Sequence, residues 1–154
     1  MEITHVESSE KKDVVIELVL EHDYLFITEA DYHFDWELEK NNSVYKLKLP
    51  DDDEILGLMS LKVISSESRI EIVLLASSVE NTGNNKIYDG IAGNLIAFAC
   101  RESIKLYAEN ACVSLHPKTE LRNYYMTKYG FENGGRQIYL DSTPLFNLIA
   151  KYKI

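Results

Sequence analysis

The spacing of apolar residues in the middle of the chain predicts a β-sheet. Residues 44–49 alternate between apolar and polar, and residues 50–53 supply the proline and aspartates of a turn. Two further strands are predicted at residues 55–64 and 69–76, with a short polar turn between them. Closely spaced strands of this kind are typical of an antiparallel meander. Residues 72–76 are continuously apolar, which predicts a central strand covered on both faces.

Helical and strand periodicities alternate from residue 90 to the end of the chain. The pattern predicts three helices, at residues 90–110, 118–129 and 142–152, and two strands, at residues 111–115 and 137–140. Gly130 directly follows the second helix, at the position where a left-handed residue commonly ends a helix. Strands in the first half, followed by helices mixed with strands, predict an α+β fold.

The first forty residues have weaker patterns. Residues 3–7 fit a short strand. Residues 11–21 fit either a helix with Val14, Val15 and Leu18 on one face or a β-branched strand. Residues 24–36 are aromatic and acidic and have neither period, so we interpret them as an irregular segment that covers the sheet.

Composition and charge limit the classes of function. The 154 residues are 45% hydrophobic and 27% charged, which fits one folded domain over residues 1–154. The net charge is −9 and no basic face is visible, so nucleic acid is not expected as a partner. No apolar run could cross a membrane and no signal peptide is visible, so we expect a cytoplasmic protein. Cys100 and Cys112 lie in apolar segments and are expected to be free thiols.

Glycines at the start of the long predicted helix suit an anion. Gly90 and Gly93 lie where the unpaired N–H groups of a helix carry about half a positive charge. Glycine lets a phosphate approach the backbone closely, and Lys86 lies just upstream. The alternative interpretation is that these glycines only form a tight junction between a loop and a helix.

Two segments of the chain resemble the GNAT superfamily of N-acetyltransferases. Residues 90–95, Gly-Ile-Ala-Gly-Asn-Leu, match the glycine part of the family's strand-turn-helix pattern. Residues 124–131 match its second landmark, a helix with an aromatic residue that ends in Gly-Phe. The similarity extends over about two-thirds of the chain and includes uncharacterised bacterial proteins of this type. It implies a GNAT-like mixed, largely antiparallel central sheet flanked by helices.

The resemblance also implies a cosubstrate and an acceptor. The protein would move an acetyl group from acetyl-CoA to a small or peptide amine, without a metal. The pantetheine arm would lie along the strand residues Leu74, Leu75 and Ala76. The aromatic and acidic segment of residues 24–36 would line the acceptor side. The pyrophosphate would be held by the turn and the first helical residues: Asn85, Lys86, Tyr88, Gly90, Ile91, Ala92, Gly93 and Asn94.

Catalytic roles follow from the same resemblance. Tyr125 is the best match to the tyrosine that gives a proton to the departing thiolate, with Tyr124 beside it. Glu71, Glu80 and His116 are the candidates for the base that takes a proton from the amine.

The chain also departs from the family pattern. At the position where the family has Arg or Gln, this chain has Ile87. The chain also has no acidic residue between Glu71 and Glu80, where many family members carry a glutamate on or beside the central strand. Lys86 or Tyr88 is the candidate substitute for the missing phosphate ligand. The alternative is therefore a non-catalytic module that binds a CoA ester or a protein partner. The sequence leaves open whether the chain forms a homodimer.

Overall fold

The computed structural model describes residues 1–154 and has an α+β architecture. The strands are β1 (Glu2–His5), β2 (Lys11–Asp13), β3 (Val15–Leu18), β4 (Ser43–Lys48), β5 (Gly57–Ile64), β6 (Arg69–Ser77), β7 (Tyr88–Asp89), β8 (Cys112–Leu115), β9 (Glu132–Gly134) and β10 (Gln137–Asp141). The helices are α1 (Glu29–Tyr32), α2 (Ile91–Tyr107), α3 (Arg122–Tyr129) and α4 (Ser142–Tyr152).

The strands form two sheets. The larger has seven strands in the order β3-β4-β5-β6-β8-β10-β9, and the smaller has the order β2-β1-β7. Strand β8 pairs in parallel with β6 and antiparallel with β10. The pairing of β6 with β8 runs from Ile70 opposite Val113 to Ile72 opposite Leu115. This register aligns the polar residues of the two strands on one face and the apolar residues on the other.

The chain divides into two compact units. The first unit comprises Met1–Ser60 and Leu74–Leu95, and the second comprises Leu61–Val73 and Ile96–Ile154. Strands β5 and β6 and helix α2 contribute residues to both units. Organisation as a single domain stays a prediction from the sequence.

Aromatic side chains of residues 24–36 build the core of the first unit. Tyr32 and Trp36 are buried among apolar residues that include Val44 and Leu58. The Tyr32 hydroxyl donates to the Ile55 carbonyl at 2.9 Å, and Trp36 Nε1 donates to the Tyr32 carbonyl at 3.0 Å. Both polar tips are thereby satisfied inside the core. These two rings serve packing, which corrects the expectation that they line an acceptor site.

Alternating residues build the core of the second unit. Ile70, Val113 and Ile138 are buried, and the polar residues that follow each of them point to the opposite face. Helix α2 is tied to β8 through the buried Ser103, whose hydroxyl donates to the Cys112 carbonyl and accepts from the Cys112 N–H, both at 3.0 Å. Cys100 and Cys112 are free thiols, as expected.

Most sequence predictions of secondary structure are confirmed, and the differences have physical causes. Within residues 11–21, Lys11–Asp13 and Val15–Leu18 form strands β2 and β3, because each finds a pairing partner, in β1 and β4. Strands β7 and β9 were not expected, since they have only two and three residues. Residues 73–75 are only partly buried, so the prediction of a strand covered on both faces is wrong there. Gly130 has φ 84° and ends α3 as predicted.

A buried ion pair holds residues 21–26 against β4. Lys46 Nζ lies 2.8 Å from Asp23 Oδ2, and the two side chains are only 8% and 11% exposed. The Leu20 N–H also donates to this carboxylate, at 2.7 Å. Burial by itself would raise the pKa of Asp23, but the hydrogen bonds from Lys46 and Leu20 outweigh burial and leave the pKa below its ordinary 3.8.

We expect Asp23→Asn to lower the free energy of unfolding by about 3 kcal/mol, because it leaves a buried lysine without its main partner. Glu10→Gln is the matched control, since it breaks the exposed Lys12–Glu10 pair at 3.0 Å and should cost less than about 1 kcal/mol. Urea unfolding measures both. The folded-state pKa of Asp23 lies below the unfolded value, so its contribution is complete above about pH 4 and is lost as the pH falls further. Equal losses in the two variants would contradict this account.

Candidate active site

Side-chain hydrogen bonds fix the turn that joins β6 to α2. The buried Asn81 donates from Nδ2 to Ser78 Oγ at 2.9 Å and accepts the Tyr88 N–H at 2.8 Å. Thr82 Oγ1 donates to the Ser78 carbonyl at 2.8 Å. The Ser78 N–H itself donates to the Leu56 carbonyl at 2.8 Å. The turn is therefore ordered before any ligand binds, which favours ligand binding at this position.

Gly90 directly precedes α2 and has a backbone conformation that favours glycine. Its φ is +98°, and a Cβ there would lie 3.8 Å from the Glu2 carbonyl oxygen and 3.9 Å from Ile3 Cα. The side of Gly90 that lacks a side chain therefore faces β1. Its conformation, rather than the approach of a phosphate, is the visible reason for glycine at this position.

Asn94 joins the start of α2 to the first strand. Its side chain is completely buried, and Nδ2 donates to the carbonyls of Glu2 and Gly90, both at 2.7 Å. The donor group of Asn94 is thus occupied within the protein. Of the other predicted residues in this helical turn, Ile91 and Gly93 are buried and Ala92 is half-buried.

The positive charge of Lys86 in this turn is partly neutralised by Asp89. Lys86 Nζ lies 2.7 Å from Asp89 Oδ1, Asn85 is exposed, and Tyr88 stacks edge-on against His5 at 5.4 Å. Ile87 is 41% exposed and offers no polar group from its side chain. The N–H groups at the start of α2 have no acceptor within the helix, so they remain the main feature that fits a pyrophosphate.

The second half of β6 has backbone groups available along one edge. Strand β8 pairs with residues 70–72 of β6 and no further, so Leu74 and Leu75 have no partner in β8. Both side chains are half-buried, and Ala76 is buried. An extended amide ligand can bind such an edge through main-chain hydrogen bonds. The predicted pantetheine residues fit that role.

Glu71 lies in a polar network on the open face of the second unit. Gln137 Nε2 donates to Glu71 Oε1 at 2.8 Å, and Arg69 Nη1 lies 3.4 Å from the same oxygen. No hydrogen bond uses Oε2. Arg69 also donates to Ser114 Oγ and to Glu67 Oε2, both at 2.6 Å. Glu71 is thus a fixed, half-buried carboxylate with one oxygen free to accept a proton.

Tyr125 lies on α3 in a cluster of aromatic rings. Its ring centroid is 5.8 Å from that of Tyr124, 5.9 Å from Tyr129 and 6.1 Å from Phe131. Burial, with a smaller contribution from Tyr124, raises the pKa of the Tyr125 hydroxyl above its ordinary 10. Tyr124 is 48% exposed, and its hydroxyl accepts a hydrogen bond from Lys128 at 3.0 Å.

The other two base candidates lie at the surface. Glu80 is exposed in the first unit and contributes, after burial, to raising the pKa of Glu54. His116 is exposed directly after β8 in the second unit. Neither side chain has a hydrogen-bond partner that would orient it. Among the three candidates, only Glu71 is held in place by neighbouring side chains.

Sequence reasoning missed the residues around Glu71. Arg69, Ser114 and Gln137 alternate with buried apolar residues on three adjacent strands. The signal was present as a polar residue at every second position of three predicted strands. Their convergence depends on the β6–β8 and β8–β10 registers, which the sequence alone does not specify.

None of the helices combines the length and apolar character needed to span a bilayer. No group of three or more His, Cys, Asp or Glu side chains is arranged to hold a metal ion.

Comparison with known proteins identifies the fold. No protein-family model and no curated protein sequence matches the chain. Among solved structures, a GNAT-family acetyltransferase from Listeria monocytogenes is similar with a TM-score of 0.63 and 14% identity, over 92% of this chain and 100% of that one. A Bacillus subtilis acetyltransferase in complex with CoA has a TM-score of 0.58 and 18% identity, over 84% of this chain and 99% of that one.

A third structure supports the same assignment. Ard1 from Thermoplasma volcanium is similar with a TM-score of 0.61 and 14% identity, over 82% of this chain and 96% of that one. The protein therefore has the fold of GNAT acetyltransferases, as the sequence predicted.

We expect Asn94→Ala to lower the free energy of unfolding by about 1–3 kcal/mol, because two carbonyls near the start of α2 lose their donor. Asn84→Ala, in the exposed loop before α2, is the control and should change stability by less than about 0.5 kcal/mol. Urea unfolding gives both values. Amide hydrogen exchange should also become faster in β1 of the Asn94 variant. Unchanged exchange there would show that Asn94 does not hold the first strand.

Proposed function

We propose that this protein is an N-acetyltransferase that moves an acetyl group from acetyl-CoA to a primary amine. The observation that carries the proposal is Glu71, a half-buried carboxylate fixed by Gln137 and Arg69 with Oε2 left free. The fold supports the proposal, because the similar Bacillus subtilis acetyltransferase binds CoA. Fold alone does not assign an activity, so the argument depends on the residues of this chain.

The first unit has the features that would bind acetyl-CoA. The free backbone edge at Leu74 and Leu75 would bind the pantetheine amides, and the first N–H groups of α2 would bind the pyrophosphate. Lys86 would contribute its charge in competition with Asp89. Acetyl-CoA supplies the reactive thioester when it is bound.

The second unit has the groups that would move protons. Glu71 Oε2 would accept a proton from the amine, directly or through a water, because an ammonium cannot attack a thioester. The amine nitrogen then forms the bond to the acetyl carbon while the carbon–sulfur bond breaks. Tyr125, held among the aromatic rings of α3, would give its hydroxyl proton to the departing sulfur. Holding the amine beside the thioester supplies the rest of the acceleration.

A non-catalytic module that binds a CoA ester is the second candidate. The observation in its favour concerns the turn that joins β6 to α2. In this turn Ile87 offers no polar side-chain group, and Lys86 is paired with Asp89. Such a module would bind CoA but would not need a fixed base. The two candidates therefore differ in the consequence of changing Glu71.

We expect Glu71→Gln to lower acetyl transfer by about 100-fold or more, while acetyl-CoA binding stays the same. The assay follows release of free CoA thiol with a panel of polyamines, amino acids and peptide amines. Glu102→Gln is the matched control, because its side chain is exposed to the same extent, 23% against 22%, and pairs with Lys105 on α2. If no amine is acetylated although acetyl-CoA binds, the non-catalytic module is the correct description.

We expect Tyr125→Phe to lower kcat by about 100-fold with little change in the affinity for CoA, because only the hydroxyl is removed from a packed ring. Tyr124→Phe is the control, since its hydroxyl already bonds to Lys128. Turnover under saturating substrate and calorimetric CoA binding are measured for both. A loss in the Tyr124 variant instead would move the role of the acid to that residue.

A further inference from the structure

A cavity opens on the polar face of the second unit. It has a volume of about 410 Å³ and is lined by residues of β6, β8 and β10, by Gly134 and Arg136 at the turn between β9 and β10, and by one carboxylate, that of Glu67, which is bonded to Arg69. This volume lies at the lower end of the range for small-molecule sites. The cavity therefore suits a small ligand rather than a macromolecule.

Arg69 in the wall of this cavity is a fixed cation. Its side chain is 18% exposed, and Nε and Nη1 donate to Glu67, Ser114, Gln137 and Glu71. Burial would lower the pKa of this guanidinium, but Glu67 and Glu71 outweigh burial and raise it, so the group stays charged. No hydrogen bond of the structure uses Nη2. The two N–H groups on Nη2 are therefore available to a ligand.

Arg136 is a second cation at the same cavity. It lies on the two-residue turn between β9 and β10, where Gly135 has φ +93°. Arg122 holds this turn by donating to Asn133 Oδ1 at 2.5 Å and to the Gly135 carbonyl at 2.6 Å. No carboxylate of the structure pairs with the Arg136 guanidinium. An unpaired arginine on a braced turn is a suitable donor for an anionic ligand.

The distribution of arginine points to the same region. The chain has a net charge of −9 and only four arginines. Three of them, Arg69, Arg122 and Arg136, line this cavity or hold the turn beside it. Guanidinium groups bind carboxylates in a bidentate geometry that lysine cannot provide. A net charge of −9 is already enough to keep the protein in solution, so solubility does not explain why the arginines cluster here.

We propose that this cavity binds the carboxylate of the acceptor, so that the substrate is a small amine that also carries a carboxylate. Arg69 Nη2 and Arg136 in the cavity wall bind the carboxylate. Glu71, which lies beside the wall and bonds to Arg69 and Gln137, receives the amino group through Oε2. This inference rests on the proposed transferase for the role of Glu71. The carboxylate site itself makes a claim about binding that needs no catalysis.

The test compares free L-amino acids with their α-carboxamides, which keep the amine and remove the negative charge. Binding to the whole protein is followed by NMR at the arginine Nε–H signals, in the presence and absence of CoA. We expect the acids to bind about 10- to 100-fold tighter than the amides. Arg136→Gln should remove most of this preference, and Lys105→Gln, which makes the same charge change on α2, should keep it.

Three results would overturn the proposal: equal affinity for acids and amides, a preference that survives in Arg136→Gln, or no binding of either class up to millimolar concentration. The panel also includes β-amino acids, such as β-alanine and its amide, in which the amine lies farther from the carboxylate. Arg136→Lys separates charge from geometry, because a bidentate site should lose affinity in this variant as well. Each variant is checked for an unchanged melting temperature, so a folding defect is recognised.

The same panel distinguishes the two proposals. If acids bind with the expected preference but none is acetylated, the carboxylate site stands and the transferase proposal fails. If amides or simple amines are acetylated as efficiently as acids, the transferase proposal stands and the carboxylate site fails.

Discussion

Strand β6 imposes the constraint on which the polar network around Glu71 depends. Its first half pairs with β8, and the pairing ends at Ile72 opposite Leu115. Up to that point the strand has a buried face and a polar face, which fixes Glu71 beside Arg69 and Gln137. Beyond that point its backbone has no β8 partner, and the strand leads into the turn before α2. A register shift of one residue would bury Glu71 and expose Ile72.

The fold was largely predictable because its main elements have strong local signals. The alternation in β4, the apolar runs of β5 and β6 and the glycine after α3 each fit one structure. Residues 11–21 were ambiguous, since a β-branched run fits both helix and strand until a pairing partner is known. Tyr32 and Trp36 were expected at the acceptor side because the segment 24–36 is rich in aromatic and acidic residues. The structure instead buries both rings in the core.

The candidate site was predictable only in part. The role of Gly90 in phosphate binding stays a prediction, and its contacts with Glu2 and Ile3 of β1 could not be predicted because that strand lies far away in the sequence. The arginine cluster is similarly nonlocal, because Arg69 and Arg136 meet one cavity only through the order of β6, β8 and β10. The unpaired guanidinium of Arg136 at this cavity is the basis for proposing an acceptor with its own negative group.

The most direct test of the account is whether acetyl-CoA binds to the native protein, measured by its melting temperature. A ligand at a hundredfold excess over its Kd adds about 2.7 kcal/mol, which should raise the melting temperature by about 5–10 °C for a domain of this size. Free CoA should stabilise almost as well, and adenosine should have little effect, because the contacts involve pyrophosphate and pantetheine. An unchanged melting curve with millimolar acetyl-CoA and CoA would contradict the account.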